Sequence, residues 1–97
     1  MKFTGSTLLL LEDEPLLRRR LTSHLEKLGF TVTSLDTVAA ARQILGKASF
    51  DFALLDINLP DGRSLTLLEE KVLPAPVITL IMTAEGGVSG AVEAMRL

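Results

Sequence analysis

LLLLEDEP, residues 8–15, decides the fold of this chain, because an apolar run stops abruptly at three acids and a proline. Consecutive leucines without alternation are typical of a strand that is covered on both faces, as in a parallel sheet. Pro15 suits the first turn of a helix, where its missing N–H is not needed. The stretch therefore predicts a buried strand that leads directly into a helix, with Glu12, Asp13 and Glu14 at the junction.

The rest of the chain repeats this order of strand and helix. The predicted strands share a short apolar or β-branched run and lie at 8–11, 31–34, 52–55 and 77–82. A predicted helix follows each strand, at 15–29, 37–47, 64–73 and 88–97. Strict alternation implies right-handed crossovers and a doubly wound parallel sheet with helices on both faces. We therefore expect an α/β fold.

Composition excludes several classes of protein. The 97 residues are 47% hydrophobic and 23% charged, which is typical of one folded domain, and we expect residues 1–97 to form it. The net charge of -2 argues against a nucleic-acid-binding surface. The chain has no cysteine for thiolate sites and no apolar stretch of the roughly 18 residues that a membrane helix needs. We expect a cytoplasmic protein with no direct contact to nucleic acid or membrane.

Polar side chains follow the predicted strands at the point where each ends. Glu12 and Asp13 follow the first strand, Asp56 the third and Thr83 the fourth. In doubly wound sheets, ligands bind outside the carboxyl ends of the strands. Carboxylate oxygens suit Mg²⁺, which takes one or two protein carboxylates and keeps several waters. Helix capping explains the first acids equally well when they are taken alone, but it does not predict Asp56. The pattern therefore favours a magnesium site that receives a phosphoryl group.

These residues resemble the receiver domain of two-component response regulators. LLLLEDEP resembles the first strand and acidic pair of that family, and HLEKLGFTV resembles the end of its first helix and its second strand. FDFALLDINLPDG resembles the strand and loop that carry the phosphoacceptor, and IMTAEG the strand that carries the switch hydroxyl. The resemblance implies a flavodoxin-like sheet of order 2-1-3-4. It also implies that the fifth strand and last helix are missing, since the sequence ends at Leu97.

The resemblance also implies a role for each acid. Asp56 is the expected phosphoacceptor, taking a phosphoryl group from a sensor histidine kinase as part of phosphorelay signalling in transcription regulation. Asp13 and Asp56 are expected to bind Mg²⁺ together with the backbone carbonyl of Asn58, while Glu12 acts through a bound water.

Two residues are expected to bind the phosphoryl group itself. By resemblance, Thr83 donates its hydroxyl and Ala84 its backbone N–H, while the family's catalytic lysine has no counterpart in this chain. Without that lysine we expect phosphorylation to be slow or undetectable. We expect the chain not to be an enzyme, because a receiver assists only its own phosphoryl transfer. The missing fifth strand leaves the strand at 77–82 as an open apolar edge, which predicts a homodimer or an exchange of elements there.

Two alternatives stay open at this point. One is a pseudo-receiver, a protein-interaction module without phosphorylation, which the absent lysine favours. The other is a haloacid-dehalogenase-like phosphohydrolase, in which the nucleophile follows the first strand and a second acid lies two positions later. Asp56 follows the third strand and Asn58 occupies that later position, so this alternative ranks last.

On the first helix, we expect His24 to be partly buried and the arginines at 18–20 to form a solvated surface.

Overall fold

The structure, a computed structural model, describes residues 3–70, 78–83 and 91–96. The strands of the described part are β1 (Thr7–Leu11), β2 (Thr31–Leu35), β3 (Phe52–Asp56), β4 (Asn58–Leu59), β5 (Gly62–Arg63), β6 (Ile78–Thr83) and β7 (Ala91–Arg96). The helices are α1 (Pro15–Lys27), α2 (Val38–Leu45) and α3 (Leu65–Glu69). The end of the predicted third helix, from residue 71 on, lies outside the described residues.

The main sheet has five strands in the order β2-β1-β3-β6-β7. β1 runs parallel to β2 and β3, and β3 runs parallel to β6, so the predicted parallel order is confirmed. Leu11 lies opposite Leu35 on one side and Leu55 on the other. Because the strands run parallel and in register, the residues that follow β1, β3 and β6 come out at the same edge of the sheet.

The leucines of β1 alternate between two hydrophobic cores. Leu9 and Leu11 join the core that includes Val38 of α2 and Leu67 of α3. Leu8 and Leu10 join the core on the other face, and Leu21 and Leu25 of α1 pack against it. Leu9, Leu10 and Leu11 have no exposed surface. The run therefore forms the strand covered on both faces that its lack of alternation predicts.

Helix α1 begins at Pro15, as predicted, and ends at Lys27, two residues before the end of the predicted range 15–29. Pro15 lies in its first turn, and Gly29 follows its last turn with a φ of 106°. The expected partial burial of His24 is wrong, because His24 is exposed, and Leu17 on the same helix is 42% exposed. α1 packs mainly on the edge strand β2, so only part of its apolar stripe reaches the sheet. His24 is therefore a surface residue and not a partly buried one.

The last described segment corrects two predictions. The sequence predicts a helix at 88–97, whereas residues 91–96 form β7, which pairs antiparallel with β6 from Ile78 opposite Arg96 to Thr83 opposite Ala91. The edge of β6 that we expected to be open, and to recruit a second chain, is therefore covered by this chain. An open edge leaves backbone N–H and C=O groups without partners, and pairing with β7 satisfies them. A helix in this segment could not do so.

The positive φ of Gly29 generates a prediction about stability. A Cβ at this position would lie 2.9 Å from the backbone nitrogen of Thr4, in a backbone region that favours glycine. We expect Gly29→Ala to lower the free energy of unfolding by about 1–3 kcal/mol. Chemical denaturation monitored by circular dichroism measures the change.

Gly46 provides a matched control, since it also ends a helix but has a φ of -76°. A Cβ there meets nothing nearer than the carbonyl oxygen of Gln43 at 3.5 Å. Gly46→Ala should leave stability unchanged or slightly raised. Equal losses in the two variants would contradict the assignment of backbone strain to Gly29.

Candidate metal and phosphoryl site

Three carboxylates meet at the carboxyl edge of the sheet. Glu12 and Asp13 lie in the loop between β1 and α1, and Asp56 is the last residue of β3. One oxygen from each of them lies within 4.8 Å of the other two. Glu12 is buried with 4% of its surface exposed, Asp56 is half-buried and Asp13 is exposed. The cluster therefore has a buried floor and a side that is open to solvent.

The backbone fixes Glu12 in two ways. Its N–H donates to the carbonyl of Leu35 at 3.0 Å, which continues the pairing of β1 with β2 by one residue. Its side-chain oxygen Oε2 accepts the N–H of Glu14 at 2.9 Å. Burial raises the pKa of the Glu12 carboxyl, the hydrogen bond from Glu14 opposes this, and the neighbouring Asp56 and Asp13 raise it further. Burial and the neighbouring acids thus oppose the ionised form of Glu12, whose carboxyl group the backbone N–H of Glu14 holds in place.

Asp56 is in a similar electrostatic position. Burial raises the pKa of its carboxyl, and the nearby Asp13 raises it further. Backbone hydrogen bonds from Asn58 and Ile57 lower it, and these N–H groups belong to the loop that follows the strand. Asp56 is therefore oriented by its own loop and lies beside the like charge of Asp13. A cation bound between these oxygens would relieve the repulsion.

Glu14 has a different role from the two acids before it. Its carboxylate accepts the N–H of Leu16 at 3.1 Å and that of Leu17 at 2.6 Å, which caps the start of α1. These backbone hydrogen bonds lower the pKa of Glu14. The capping explanation of the acidic run thus applies to Glu14, while Glu12 and Asp13 turn towards Asp56.

Arg18 is a residue of the site that the sequence interpretation missed. Its Nη1 donates to the carbonyl oxygen of Glu12 at 3.0 Å and lies 3.5 Å from that of Asp13. The half-buried guanidinium therefore ties α1 to the loop that carries two of the acids. Its spacing of four residues from Glu14 is typical of an ion pair on a helix, and nothing in the sequence indicates the loop carbonyls as its partners.

The other residues of the predicted site lie near this edge or outside the described part. Asp56 is opposite Met82, so the backbone of Thr83 follows at the same edge of the sheet. Asn58 begins β4, two residues after Asp56. Ala84 lies outside the described residues, so its predicted contact is not described.

Neither lysine of the described ranges lies at the acid cluster. Lys27 is in the last turn of α1, and Lys47 follows α2. Both helices begin at the carboxyl edge of the sheet and run away from it, so these lysines lie towards the opposite edge.

Within the part of the chain that the structure describes, no helix has the length and apolar character to cross a membrane.

Comparison with known proteins agrees with this fold. The sequence model of the response regulator receiver domain matches residues 8–97. The response regulator protein FleR of Pseudomonas aeruginosa is 38% identical over 95 residues, which cover 95% of this chain and 20% of FleR. The solved structure of the non-phosphorylated HemR receiver domain from Leptospira biflexa has a TM-score of 0.76 at 30% identity, covering 87% of this chain and 68% of that one. The MaeR response regulator bound to beryllium trifluoride has a TM-score of 0.71 at 31% identity, covering 84% and 69%.

The fold and the acid cluster define a flavodoxin-like α/β domain with an acidic site at the carboxyl edge of its sheet. The chain belongs to the response regulator receiver domain family. This is not a classical enzyme family, and its members interact with sensor histidine kinases and typically bind Mg²⁺ at an acidic pocket. The chain spans 20% of the length of FleR, so most of that relative lies outside the match.

The crowding of carboxylates predicts that removing one charge stabilises the protein when no divalent cation is present. Two unit charges 4.8 Å apart repel by about 1 kcal/mol at the dielectric constant of water and by about 3 kcal/mol at the effective dielectric constant of a protein surface. We therefore expect Asp56→Asn, measured in chelator at pH 7, to unfold at a higher denaturant concentration than the wild type. Asp36→Asn is the control, because Asp36 is exposed after β2 and lies outside the cluster.

The pH dependence of this gain has a definite sign. The pKa values of Glu12 and Asp56 are higher in the folded chain than the usual carboxyl values of an unfolded chain. At a pH between the usual values and the raised ones, the folded chain therefore binds more protons than the unfolded chain. Their contribution to stability is therefore fully present below the usual range and is lost as the pH rises through the raised values. The advantage of Asp56→Asn should disappear at acidic pH. A constant advantage at every pH would contradict charge repulsion as its cause.

Proposed function

We propose that this receiver domain accepts a phosphoryl group on Asp56 from a sensor histidine kinase, with Mg²⁺ as the cofactor. The observation that carries the proposal is the convergence of Glu12, Asp13 and Asp56 within 4.8 Å at the carboxyl edge of the sheet. Hard oxygen ligands from one loop and from the end of a neighbouring strand, with one open side, suit a small divalent cation and an incoming phosphoryl group.

The ligands of the cation follow from this geometry and from the family pattern. Asp13 and Asp56 would bind Mg²⁺ through carboxylate oxygens, Asn58 through its backbone carbonyl, and the buried Glu12 through a bound water. When bound, Mg²⁺ neutralises charge on the phosphoryl oxygens and on the carboxylates around them. The fit is supported by the raised pKa of Asp56, which reflects burial and the like charge of Asp13.

The transfer step needs one nucleophile and correct positioning. A carboxylate oxygen of Asp56 forms a bond to the phosphorus, and the bond from phosphorus to the imidazole nitrogen of the phosphohistidine breaks. The imidazole leaves with the electron pair of that bond. The N–H groups of Ile57 and Asn58 hold the carboxylate during the transfer, which is consistent with their hydrogen bonds to it. Thr83 and Ala84 would bind the phosphoryl oxygens through a hydroxyl and a backbone N–H.

The wider assignments are part of the same proposal. Residues 1–97 act as one receiver unit in the cytoplasm, with a sensor histidine kinase as partner and without direct contact to nucleic acid or membrane. The chain promotes its own phosphorylation without acting as an enzyme on other substrates. Transfer is slow, because neither lysine of the described ranges lies near the acid cluster. A homodimer would require a surface other than the edge of β6, since β7 covers that edge.

A pseudo-receiver without phosphoryl chemistry is the second candidate, and the lack of a lysine near the cluster in the described residues favours it. The phosphohydrolase alternative has no such support, because Asn58 stands where that class has its second acid.

Intact-mass spectrometry with acetyl phosphate and Mg²⁺ tests the proposal. The wild-type chain should gain the mass of one phosphoryl group, and Asp56→Asn should gain none. Asp13→Asn keeps the nucleophile but loses a metal ligand, so we expect its yield to fall at least tenfold. Asp36→Asn, a matched change outside the cluster, should behave as the wild type does.

The result also decides between the two candidates. A mass gain that persists in Asp56→Asn would overturn the assignment of the phosphoacceptor. No gain in the wild type, together with no binding of Mg²⁺ and beryllofluoride by calorimetry, would favour the interaction module.

A further inference from the structure

Asp61 joins two parts of the chain that lie far apart in sequence. Its Oδ1 accepts the N–H of Val38 at 2.8 Å, and its Oδ2 accepts the N–H of Ala39 at 2.9 Å. Val38 and Ala39 are the first two residues of α2, where backbone N–H groups have no partner within the helix. Asp61 therefore uses both of its carboxylate oxygens to hold the start of a helix from 22 and 23 residues away.

α2 also has a cap of its own. The side-chain oxygen of Thr37 accepts the N–H of Ala40 at 3.0 Å. The start of the helix is thus satisfied from two sources, a local one and one that comes from another loop. The hydrogen bonds from Val38 and Ala39 lower the pKa of Asp61, so the distant cap is a carboxylate at neutral pH.

That other loop is the β4–β5 hairpin, which comes directly after Asp56. Asn58 pairs with Arg63 and Leu59 pairs with Gly62, which leaves Pro60 and Asp61 as the turn. The tip of the hairpin lies against α2, since a Cβ built on Gly62 would be 3.9 Å from a methyl carbon of Val38.

The base of the same hairpin holds the reacting residue. The N–H of Ser64 donates to the carbonyl of Ile57 at 3.0 Å and closes the base. The N–H groups of Ile57 and Asn58 donate to the carboxylate of Asp56. One short hairpin therefore has its tip fixed on α2 by Asp61 and its base bonded to Asp56.

We infer that Asp61 is a positioning residue for the chemistry at Asp56. By fixing the hairpin tip on α2, it holds the N–H groups that orient Asp56 and the carbonyl of Asn58 that would bind Mg²⁺. The inference rests on the proposed function of the acid cluster. It assigns to Asp61 an effect on the metal site, which a residue that only caps α2 would not have.

The chain offers a matched control for this distinction. Thr37→Ala removes a cap from the same helix start as Asp61→Ala does, but the hydrogen bond of the Thr37 side chain is local to α2. Both variants should lower Tm by about 4–8 °C, since each removes one helix cap from a domain of this size. Only Asp61→Ala should affect the acid cluster.

Two measurements on the 97-residue chain compare the variants. Titration calorimetry with MgCl₂ should give a Kd raised about tenfold in Asp61→Ala and changed less than twofold in Thr37→Ala. Amide hydrogen exchange by NMR, without Mg²⁺, should be about tenfold faster at Ile57 and Asn58 in Asp61→Ala and unchanged in Thr37→Ala. Asp61→Asn keeps one acceptor oxygen and should fall between the wild type and Asp61→Ala in both measurements.

The outcomes separate this inference from the proposed function. If the wild type binds no Mg²⁺, the proposed function fails, and the exchange rates at Ile57 and Asn58 still decide whether Asp61 fixes the hairpin. If Asp61→Ala matches Thr37→Ala in both Kd and exchange, Asp61 is a helix cap only and the inference is overturned. If Asp61→Ala does not fold, Asp61→Asn gives the same comparison, and wild-type values in it would overturn the inference.

Discussion

Repulsion between carboxylates at the end of a buried sheet is the constraint on which the rest of this structure depends. Glu12, Asp13 and Asp56 lie within 4.8 Å of one another, and two of the three are buried or half-buried. The parallel register of β1 and β3 makes this proximity unavoidable, because both strands end at the same edge. The strands cannot shift to relieve it, since each leucine of β1 fills a core on one face or the other. The free-energy cost of the site is thus met by the stability of the sheet.

The surrounding backbone moderates this repulsion without removing it. Neutral N–H groups of Glu14, Ile57 and Asn58 donate to the acids. Arg18, the positive group bonded to the loop, donates to carbonyl oxygens and not to the carboxylates. Positive charge is therefore close, yet the carboxylate oxygens stay available to a ligand. An arrangement of this kind favours a cation that arrives from solution, which is what phosphoryl transfer requires.

Features that depend on local pattern could be predicted from the sequence. Consecutive leucines without alternation predicted the buried strand, and acids after two such strands predicted the cluster, because strand ends and sheet edges follow directly from topology. The division of roles among the acids could not be predicted. Glu14 caps α1 while Glu12 turns towards Asp56, and only the backbone path of the loop decides this.

Features that depend on distant contacts were missed or predicted wrongly. The segment at 91–96 has a pattern compatible with a helix, but pairing with the edge of β6 places it in a strand. His24 and Leu17 are exposed because α1 lies over the edge strand β2, which periodicity does not reveal. In the sequence, Asp61 has the pattern of an ordinary turn residue, whereas its hydrogen bonds to α2 span more than 20 residues. Each of these outcomes is decided by tertiary contacts that no short stretch of sequence encodes.

The most direct test of the acid cluster as a divalent-cation site is anomalous diffraction from crystals of the chain grown with Mn²⁺, which takes the same oxygen ligands as Mg²⁺. We expect one strong anomalous peak in the cluster, about 2.1 Å from carboxylate oxygens of Asp13 and Asp56. A peak elsewhere on the chain and none between these two residues, at a saturating concentration of Mn²⁺, would contradict it.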